Sequence, residues 1–343
     1  MPRKPIELKY TAEHLREMQA LPLYRKVGIT IARLTEYYNH FGGKVFVSFS
    51  GGKDSTVLLH IARKLYPDIR AVFANTGLEY PEIVEFVKTF DNVDMIRPEM
   101  PFNQVIKKYG YPVISKEVAQ YIENFHAAMP YAKRIYDNLI NGVGKSWREM
   151  VCRKWLFAFD APFKISAKCC DIMKKKPFAK YDKENGTHPI LATMAEESLL
   201  RKTAWLKTGC NAFDSKSPKS TPMAFWTEQD VLQYIAEMKI PIAPVYGEVV
   251  KDENGLYRTT GEKRTGCMFC LFGCHLQKEP NKIQRLEKAY PKIHEYILDK
   301  LNFREVMDYF KIPYTTRQME FDFIQPDAEN NEPDDTEETN DRD

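Results

Sequence analysis

The sequence lacks the features that mark several protein classes. It has no run of about 18 uncharged apolar residues, which a transmembrane helix requires, and no apolar segment near its first residues such as a secretory signal contains. Hydrophobic residues make up 43% of the 343 residues, glycine shows no three-residue period, and cysteine is sparse. The chain is therefore neither disordered, collagenous nor a disulfide-rich miniprotein. We expect a globular cytoplasmic protein without a membrane partner.

The modest net charge of +3 conceals two unlike parts. Residues 321–343 contain ten acidic residues and one basic residue, so the other 320 residues carry 49 basic against 37 acidic ones, a charge of +12. A basic body favours anionic partners, nucleic acid among them, and an acidic tail could compete for the same surface. The tail itself is predicted to be disordered.

Strands and helices alternate from Lys44 onward. A β-branched and aromatic run at 44–50 leads through two glycines into a helical pattern at 55–65, and the arrangement repeats twice over 69–109. This alternation predicts right-handed crossovers and a parallel sheet covered by helices on both faces. The expected fold class is α/β, a doubly wound parallel sheet, followed by a helical region that contains cysteines.

A glycine turn joins the first strand of this pattern to its helix. Glycines there let the backbone approach an anion, the start of a helix offers unpaired N–H groups, and Lys53 adds a full positive charge. The turn is not a Walker A loop, because Val47 and Asp54 stand where that loop needs a glycine and a hydroxyl. An ordinary tight turn with a solvated Lys53 is the alternative. The predicted phosphate cradle consists of Ser50, Gly51, Gly52, Lys53, Asp54 and Ser55.

This hexapeptide resembles the PP-loop of the ATP pyrophosphatases and sulfonucleotide reductases, the adenine nucleotide α-hydrolase-like superfamily. In that superfamily the loop binds the pyrophosphate of ATP, or its counterpart in a sulfonucleotide, on a doubly wound sheet. The resemblance implies an adenine nucleotide as ligand: ATP, adenosine phosphosulfate (APS) or phosphoadenosine phosphosulfate (PAPS). Lys53 would stabilise charge on the pyrophosphate, and Asp54 would bind Mg²⁺ or orient the loop.

Three further segments are similar to PAPS reductases. Asn75-Thr76-Gly77 begins a segment like their Asp-Thr-Gly-x-x-Phe-Pro-Glu, with asparagine in place of the acid. The second segment, Glu197-Ser198-x-x-Arg201, resembles their Glu-Ser-x-x-Arg. The third, Trp226-Thr227-x-x-Asp230-Val231, resembles their Trp-Thr-x-x-Asp-Val. Upstream of the second segment, Ala192 and Met194 replace a glycine and an anion-binding arginine. The resemblance implies further nucleotide-binding residues: Asn75, Thr76, Gly77, Glu197 and Arg201.

Five of the seven cysteines fall into two tight groups, 169–170 and 267–274. In a reducing compartment, clustered thiols more often bind metal or react than form disulfides. Four thiolates suit a four-iron four-sulfur cluster, and a tetrahedral zinc ion could use the same sulfurs. The lone cysteines, Cys152 and Cys210, are expected in the core.

The cysteine pattern resembles that of iron–sulfur APS reductases, which carry Cys-Cys-x-x-Arg-Lys-x-x-Pro-Leu and, far downstream, Gly-Cys-x-x-Cys. Met173 replaces the arginine, while Lys174 matches the lysine and would stabilise an anionic cluster. Cys274 is an alternative ligand or a reactive catalytic thiol beside His275. The resemblance implies a 4Fe-4S cluster, with zinc as the alternative, bound by Cys169, Cys170, Cys267 and Cys270.

Three functions remain open at this point. The favoured one is adenylation by ATP coupled to sulfur transfer onto an acceptor, possibly a nucleic acid, with a sulfur donor as partner. The alternative is an APS or PAPS reductase that releases sulfite and needs a thiol reductant. Such reductases end in Glu-Cys-Gly-Leu-His, so Cys274 or a partner would have to supply the attacking thiol. A non-catalytic nucleotide or redox sensor is the third. Any of the three is compatible with an oligomer.

The motifs divide the chain into four expected parts. These are N-terminal helices (1–43), a PP-loop nucleotide-binding α/β domain (44–245), a cysteine-cluster and helical region (246–320) and the acidic tail (321–343).

Overall fold

The computed structural model describes residues 8–142 and 153–316. The predicted tail and Cys152 lie outside these ranges. The helices are α1 (Ala12–Ala20), α2 (Leu23–His40), α3 (Lys53–Leu65), α4 (Pro81–Lys88), α5 (Phe102–Tyr109), α6 (Lys116–His126), α7 (Pro130–Ile140), α8 (Lys176–Asn185), α9 (Leu199–Thr208), α10 (Glu228–Met238), α11 (Lys282–Ala289), α12 (Pro291–Glu295) and α13 (Phe303–Tyr309). The strands are β1 (Val45–Ser48), β2 (Arg70–Ala74), β3 (Val93–Ile96), β4 (Val113–Ile114), β5 (His188–Ile190), β6 (Asn211–Ala212), β7 (Lys219–Ser220), β8 (Val249–Lys251), β9 (Tyr257–Thr259) and β10 (Leu271–Phe272).

The main sheet has six strands in the order β3-β2-β1-β5-β7-β6. All neighbours are parallel except β6, which runs antiparallel to β7. Val47 of β1 lies opposite Ala71 of β2 on one side and Ile190 of β5 on the other. From β1 the chain therefore adds β2 and β3 on one side of the sheet, and it adds β5, β6 and β7 on the other side. A crevice at the carboxyl end of β1 results, and ligands of open α/β sheets bind at such a point.

The strands at the centre of this sheet are buried on both faces. Phe46 and Val47 of β1, Val72 of β2 and Ile190 of β5 are fully buried. Near-continuous apolar strands are typical of parallel sheets with helices on both sides. The predicted doubly wound α/β class is confirmed.

Two short strand pairs outside the main sheet hold the segment that contains Cys267 and Cys270. β4 pairs in parallel with β10, so that Val113 lies opposite Leu271. Upstream, β8 and β9 form an antiparallel hairpin, and Gln229 of α10 exchanges hydrogen bonds with the backbone of Tyr257 at 2.8 and 2.9 Å. The sequence gives no signal for this hairpin, because strands of three residues are too short to show a period.

The N-terminal helix α2 is attached to α10 by buried polar contacts. Lys26 donates to Asp230 at 2.6 Å, and the Trp226 indole N–H donates to the Thr30 hydroxyl at 2.9 Å. Asp230 also accepts a hydrogen bond from the backbone N–H of Thr227 at 2.6 Å, which caps α10. The Trp-Thr-x-x-Asp segment thus fixes the start of α10.

The chain divides between Gly273 and Cys274 into two compact units. In the second unit, Asn281 caps α11 by accepting from the N–H groups of Ile283 and Gln284, and Phe303 and Val306 are fully buried. The boundaries expected at 43/44 and 245/246 stay predictions. Across the described ranges, no helix combines the length and the apolar character that crossing a membrane takes.

Candidate functional site

The carboxyl end of β1 continues into the predicted phosphate cradle. The Ser55 hydroxyl accepts from the Ser50 N–H at 3.1 Å, and the Ser50 hydroxyl accepts from the Gly52 N–H at 3.3 Å. Gly51 has a φ of +69°, and a Cβ there would lie 2.8 Å from the Ile83 side chain of α4. Only glycine fits both conditions. The turn therefore presents the N-terminus of α3 at the crevice beside β1.

Lys53, the first residue of α3, is 6% exposed. Its Nζ donates to the Lys263 carbonyl at 2.9 Å, lies 3.5 Å from Glu228 Oε1 and sits 5.4 Å from the centre of the Tyr246 ring. Burial lowers the pKa of Lys53, and the nearby carboxylate of Glu228 opposes this shift. Lys53 is therefore a buried, partnered charge and not a solvated surface lysine.

Charges from three chain segments surround Asp54. Burial raises the pKa of Asp54, and the positive charges of Lys53, Arg264 and Arg201 oppose that shift. Arg201 forms an ion pair with Glu197, and Nη1 of Arg264 lies 3.8 Å from Glu197 Oε1. The structure thus brings the predicted residues of the loop together with the predicted Glu197 and Arg201.

The predicted turn after β2 is held by one carboxylate. Glu79 accepts hydrogen bonds from the Thr76 N–H at 3.0 Å, from the Thr76 hydroxyl at 2.8 Å and from the Leu78 N–H at 3.3 Å. The Gly77 N–H donates to the Asn75 side-chain oxygen at 3.2 Å. Asn75, Thr76 and Gly77 therefore form an ordered turn at the carboxyl edge of the sheet, next to the end of β1.

Cys169 and Cys170 begin a helix that passes through a π-helical segment (Asp171–Lys175) into α8. Pro177 has no N–H to donate to the carbonyl four residues earlier. The Lys176 N–H bonds to the Asp171 carbonyl, five residues back. The proline of the cysteine motif thus accounts for the bulge, a feature often found at functional sites.

The four predicted ligands lie within electrostatic reach of one another. Burial raises the pKa of Cys169, and the neighbouring thiols of Cys267, Cys170 and Cys270 raise it further, while Lys174 opposes them. Lys174 hydrogen-bonds Cys267, and its Nζ lies 3.6 Å from Glu79 Oε1. The downstream pair is tethered to the turn after β2, because the Met268 N–H donates to the Leu78 carbonyl at 2.8 Å.

The donor set of this cysteine cluster, Cys169, Cys170, Cys267 and Cys270, fits an iron–sulfur cluster by its chemistry. The four thiols and the Lys174 ammonium group interact electrostatically, and thiols with a nearby cation are the donor chemistry that an anionic cofactor with thiolate ligands requires. Within residues 8–142 and 153–316, no three Cys, His, Asp or Glu side chains converge as ligands of a metal ion. The assignment of a cluster or of zinc stays a prediction.

Two further cysteines, Cys274 and Cys210, are buried. Cys274 is the first residue of the second unit, where it opens a 3₁₀ turn (Cys274–Leu276) and is buried. Its roles as a catalytic thiol or an alternative ligand stay predictions. Cys210 is buried, and burial raises its pKa to about 11, which agrees with a core position.

Sequence reasoning missed five residues at these sites: Glu79, Glu228, Tyr246, Lys263 and Arg264. Lys263 also pairs with Glu228 at 3.3 Å. Two adjacent bases directly before the second cysteine motif were a usable signal for Lys263 and Arg264. Tyr246 carried no local signal, since only the tertiary fold brings its ring beneath Lys53.

The chain is similar to several known proteins. The model of the phosphoadenosine phosphosulfate reductase domain matches residues 44–138 and 115–274. Adenosine 5'-phosphosulfate reductase of Lysinibacillus sphaericus is 21% identical over 212 residues, 62% of this chain and 71% of that protein. Sulfate adenylyltransferase subunit 2 of Agrobacterium fabrum is 26% identical over 212 residues, 58% of this chain and 56% of that protein.

Other matches are shorter or more distant. An uncharacterised protein of Methanocaldococcus jannaschii is 38% identical over 64 residues, 18% of this chain and 16% of its own length. The chain thus spans less than two thirds of the length of two of these relatives, those from Agrobacterium fabrum and Methanocaldococcus jannaschii. A solved structure, the phosphate complex of PAPS reductase from Candida auris, is 13% identical with a TM-score of 0.36, covering 73% of this chain and 99% of that one. The family model extends over most of the chain, from β1 to Cys274, and the chain belongs to the phosphoadenosine phosphosulfate reductase family.

Proposed function

We propose that this chain is a nucleotide-dependent enzyme of sulfur metabolism that adenylates an acceptor with ATP and then exchanges the adenylate for sulfur. The observation that carries the proposal is the cradle at the end of β1, where Lys53, Arg201 and the first turn of α3 meet around Asp54. Among the groups attached to the 5' position of the candidate adenine nucleotides, the triphosphate of ATP carries the most negative charge. Converging cations and backbone N–H groups stabilise such charge, above all as it grows on a leaving group.

In the first step, an acceptor oxygen attacks the α-phosphorus of ATP. The bond from that phosphorus to the oxygen shared with the β-phosphate breaks, and pyrophosphate leaves. Lys53 and the loop amides would bind the departing pyrophosphate, while Asp54 would hold Mg²⁺ or orient the loop. A sulfur nucleophile from a donor then displaces AMP from the acceptor.

Cys169, Cys170, Cys267 and Cys270 would hold a 4Fe-4S cluster, with zinc as the alternative. When bound, the cluster supplies an anionic, redox-active centre beside the nucleotide edge of the sheet. Lys174 contacts both Cys267 and Glu79. It would therefore contribute a positive charge between the cysteine cluster and the turn after β2. The basic body, +12 over residues 1–320, supports a nucleic acid as the acceptor.

The second candidate is reduction of APS or PAPS to sulfite with a thiol reductant. The match to an APS reductase and the double-cysteine motif favour it. In this reaction a thiol sulfur attacks the sulfur of the sulfonucleotide, and the adenine nucleotide leaves. A thiol of the reductant then attacks the sulfonated thiol, which releases sulfite and leaves a disulfide. Cys274 or a partner protein would supply that thiol.

The test is to purify the protein without oxygen and to measure pyrophosphate release from ATP and sulfite release from APS and PAPS. The proposal expects pyrophosphate release, with Lys53→Ala lowering the rate by roughly 100-fold or more, since it removes a buried charge at the leaving group. Lys64→Ala, at the far end of α3, is the matched control and should retain the wild-type rate. Sulfite release without pyrophosphate release would replace the proposal by the second candidate.

Iron, acid-labile sulfide and zinc are measured on the same preparation. The proposal expects iron and sulfide, which Cys169→Ala should remove and Cys210→Ala should leave unchanged. Zinc in their place would identify the other metal centre. Equal metal content in all three proteins would rule out the four-cysteine site.

A further inference from the structure

Arg264 reaches the nucleotide cradle from a part of the chain far from the phosphate loop. It belongs to the segment between β9 and Cys267, and nothing in its local sequence resembles a phosphate-binding motif. Two contacts fix this segment beside the cradle. The Lys263 carbonyl accepts from Lys53 Nζ at 2.9 Å, and the Thr265 hydroxyl lies 2.5 Å from the hydroxyl of Tyr246.

Tyr246 connects the second of these contacts to the loop itself. Its hydroxyl would be 3.4 Å from a Cβ on Gly52, and its ring lies 5.4 Å from Lys53 Nζ. The residues on both sides of Arg264 are therefore anchored to the first turn of α3. The backbone of Arg264 has little freedom to move away from the cradle.

The side chain of Arg264 remains available to a ligand. It is 58% exposed, and its Nη1 lies 3.8 Å from Glu197 Oε1, which is longer than a hydrogen bond. Arg201 pairs with the same carboxylate, so two guanidinium groups share one acid. Lys53 and Arg201 each feel the positive charge of Arg264. Like charges held this closely favour an anion with several negative oxygens.

We propose that Arg264 is a phosphate-binding residue of this site and that its guanidinium contacts the pyrophosphate portion of a nucleoside triphosphate. The planar fork of arginine can donate two parallel hydrogen bonds to phosphate oxygens, which a lysine cannot. This inference rests on the proposed function, in which the cradle binds ATP. It adds a cation from the segment that also contains Cys267 and Cys270.

The experiment titrates the full-length protein with Mg-ATP, inorganic pyrophosphate and AMP by isothermal calorimetry. Arg264→Ala should weaken ATP and pyrophosphate binding by about 10-fold or more, the usual loss for a charge-assisted hydrogen bond, and leave AMP binding unchanged. Arg264→Lys should give an intermediate loss, because it keeps the charge but not the fork. Arg258→Ala, an exposed arginine on β9, is the matched control and should bind all three ligands as the wild type does.

Thermal unfolding of each variant verifies that the exposed substitutions leave the fold intact. Wild-type affinity for ATP and pyrophosphate in Arg264→Ala would overturn this inference and leave the proposed function standing. Equal losses for AMP and for pyrophosphate would also overturn it, because the contact would then not be with the pyrophosphate portion. A wild-type protein that binds neither ATP nor pyrophosphate would remove the proposed function and this inference together.

Discussion

Single side chains join the nucleotide edge of the sheet to the cysteine cluster. Glu79 holds the turn after β2 through Thr76 and Leu78, and the same carboxylate lies 3.6 Å from Lys174. Lys174 in turn hydrogen-bonds Cys267. A cation beside a thiolate-bound centre stabilises its reduced, more negative form and so raises its reduction potential.

Lys174→Ala should therefore shift the midpoint potential of the proposed cluster to a more negative value, by on the order of tens of millivolts. The measurement is a redox titration followed by the absorbance of the cluster. Lys175→Ala is the control, because Lys175 is 73% exposed and pairs with Asp171. A potential that stays the same in Lys174→Ala, or moves equally in both variants, would show that Lys174 does not act on the cluster.

Position 194, where the resembled motif has an anion-binding arginine, is a methionine in this chain. Met194 is 2% exposed, so that position contributes no cation to the cradle. Two other guanidinium groups lie there, Arg201 and Arg264, both close to Glu197. The sequence predicted Arg201 because it lies within a short motif. Arg264 was not predicted, because its location beside the cradle depends on strand pairs that are two and three residues long.

At the scale of elements, α2 and α10 are joined by a buried ion pair next to the cradle. Lys26 is 2% exposed and donates to Asp230 at 2.6 Å. Removing one partner leaves the other charge buried without compensation, which typically costs about 3–5 kcal/mol. Asp230→Ala should therefore lower the free energy of unfolding by roughly that amount. Lys26→Met should cost less in the Asp230→Ala background than alone, since the two residues form one interaction.

Urea denaturation, read as the shift of the midpoint, checks this double-mutant cycle. Arg33→Ala is the control because Arg33 and Glu36 form an exposed i,i+3 pair, each 45% exposed, and such pairs contribute roughly 0–1 kcal/mol. If Asp230→Ala is no more destabilising than Arg33→Ala, the buried pair does not hold α2 against α10.

A second contact between elements gives a dependence on pH. Asp94 of β3 accepts hydrogen bonds from the Tyr181 hydroxyl of α8 at 2.6 Å and from Arg70 of β2 at 2.9 Å. Burial acts to raise the pKa of Asp94, but these two hydrogen bonds and the charge of Arg70 outweigh it and hold the pKa below its usual value. Folding therefore favours the ionised form of this carboxyl group.

The stabilisation from ionised Asp94 should be complete above pH about 4, the pKa of an unfolded aspartate, and should be lost as the pH falls through the lower folded value. The stability difference between the wild type and Asp94→Asn is thus expected to be constant from about pH 5 to 7 and to shrink on further acidification. Urea midpoints at a series of pH values measure it. A difference that grows as the pH falls would contradict the assigned direction of the shift.

Elements with local signals were predictable from the sequence. β1, the glycine turn and α3 follow one another within 21 residues (Val45–Leu65), and each has a characteristic pattern of its own. The π-helical segment before α8 follows from Pro177, which lies within the cysteine motif. The β8–β9 hairpin and the β4–β10 pair were not predicted, because their few hydrogen bonds depend on contacts between distant parts of the chain.

At the scale of the whole molecule, charge is distributed unevenly along the sequence. Residues 1–320 carry +12 and residues 321–343 carry nine net negative charges. Binding of a nucleic acid by a basic surface releases counterions and weakens steeply with salt. An acidic segment on the same chain competes for that surface at a high effective concentration.

Removal of residues 321–343 should therefore tighten the binding of transfer RNA and of single-stranded DNA, most strongly at low salt, and should make the salt dependence of binding steeper. Fluorescence anisotropy at several salt concentrations measures both effects. A full-length variant with the ten acidic tail residues changed to their amides is the matched control, because it keeps the length and loses the charge. It should behave like the truncated protein.

Truncation that tightens binding while the amide variant does not would mean that the tail blocks the surface by its bulk. Equal affinity in all three proteins would show that the tail does not compete with nucleic acid.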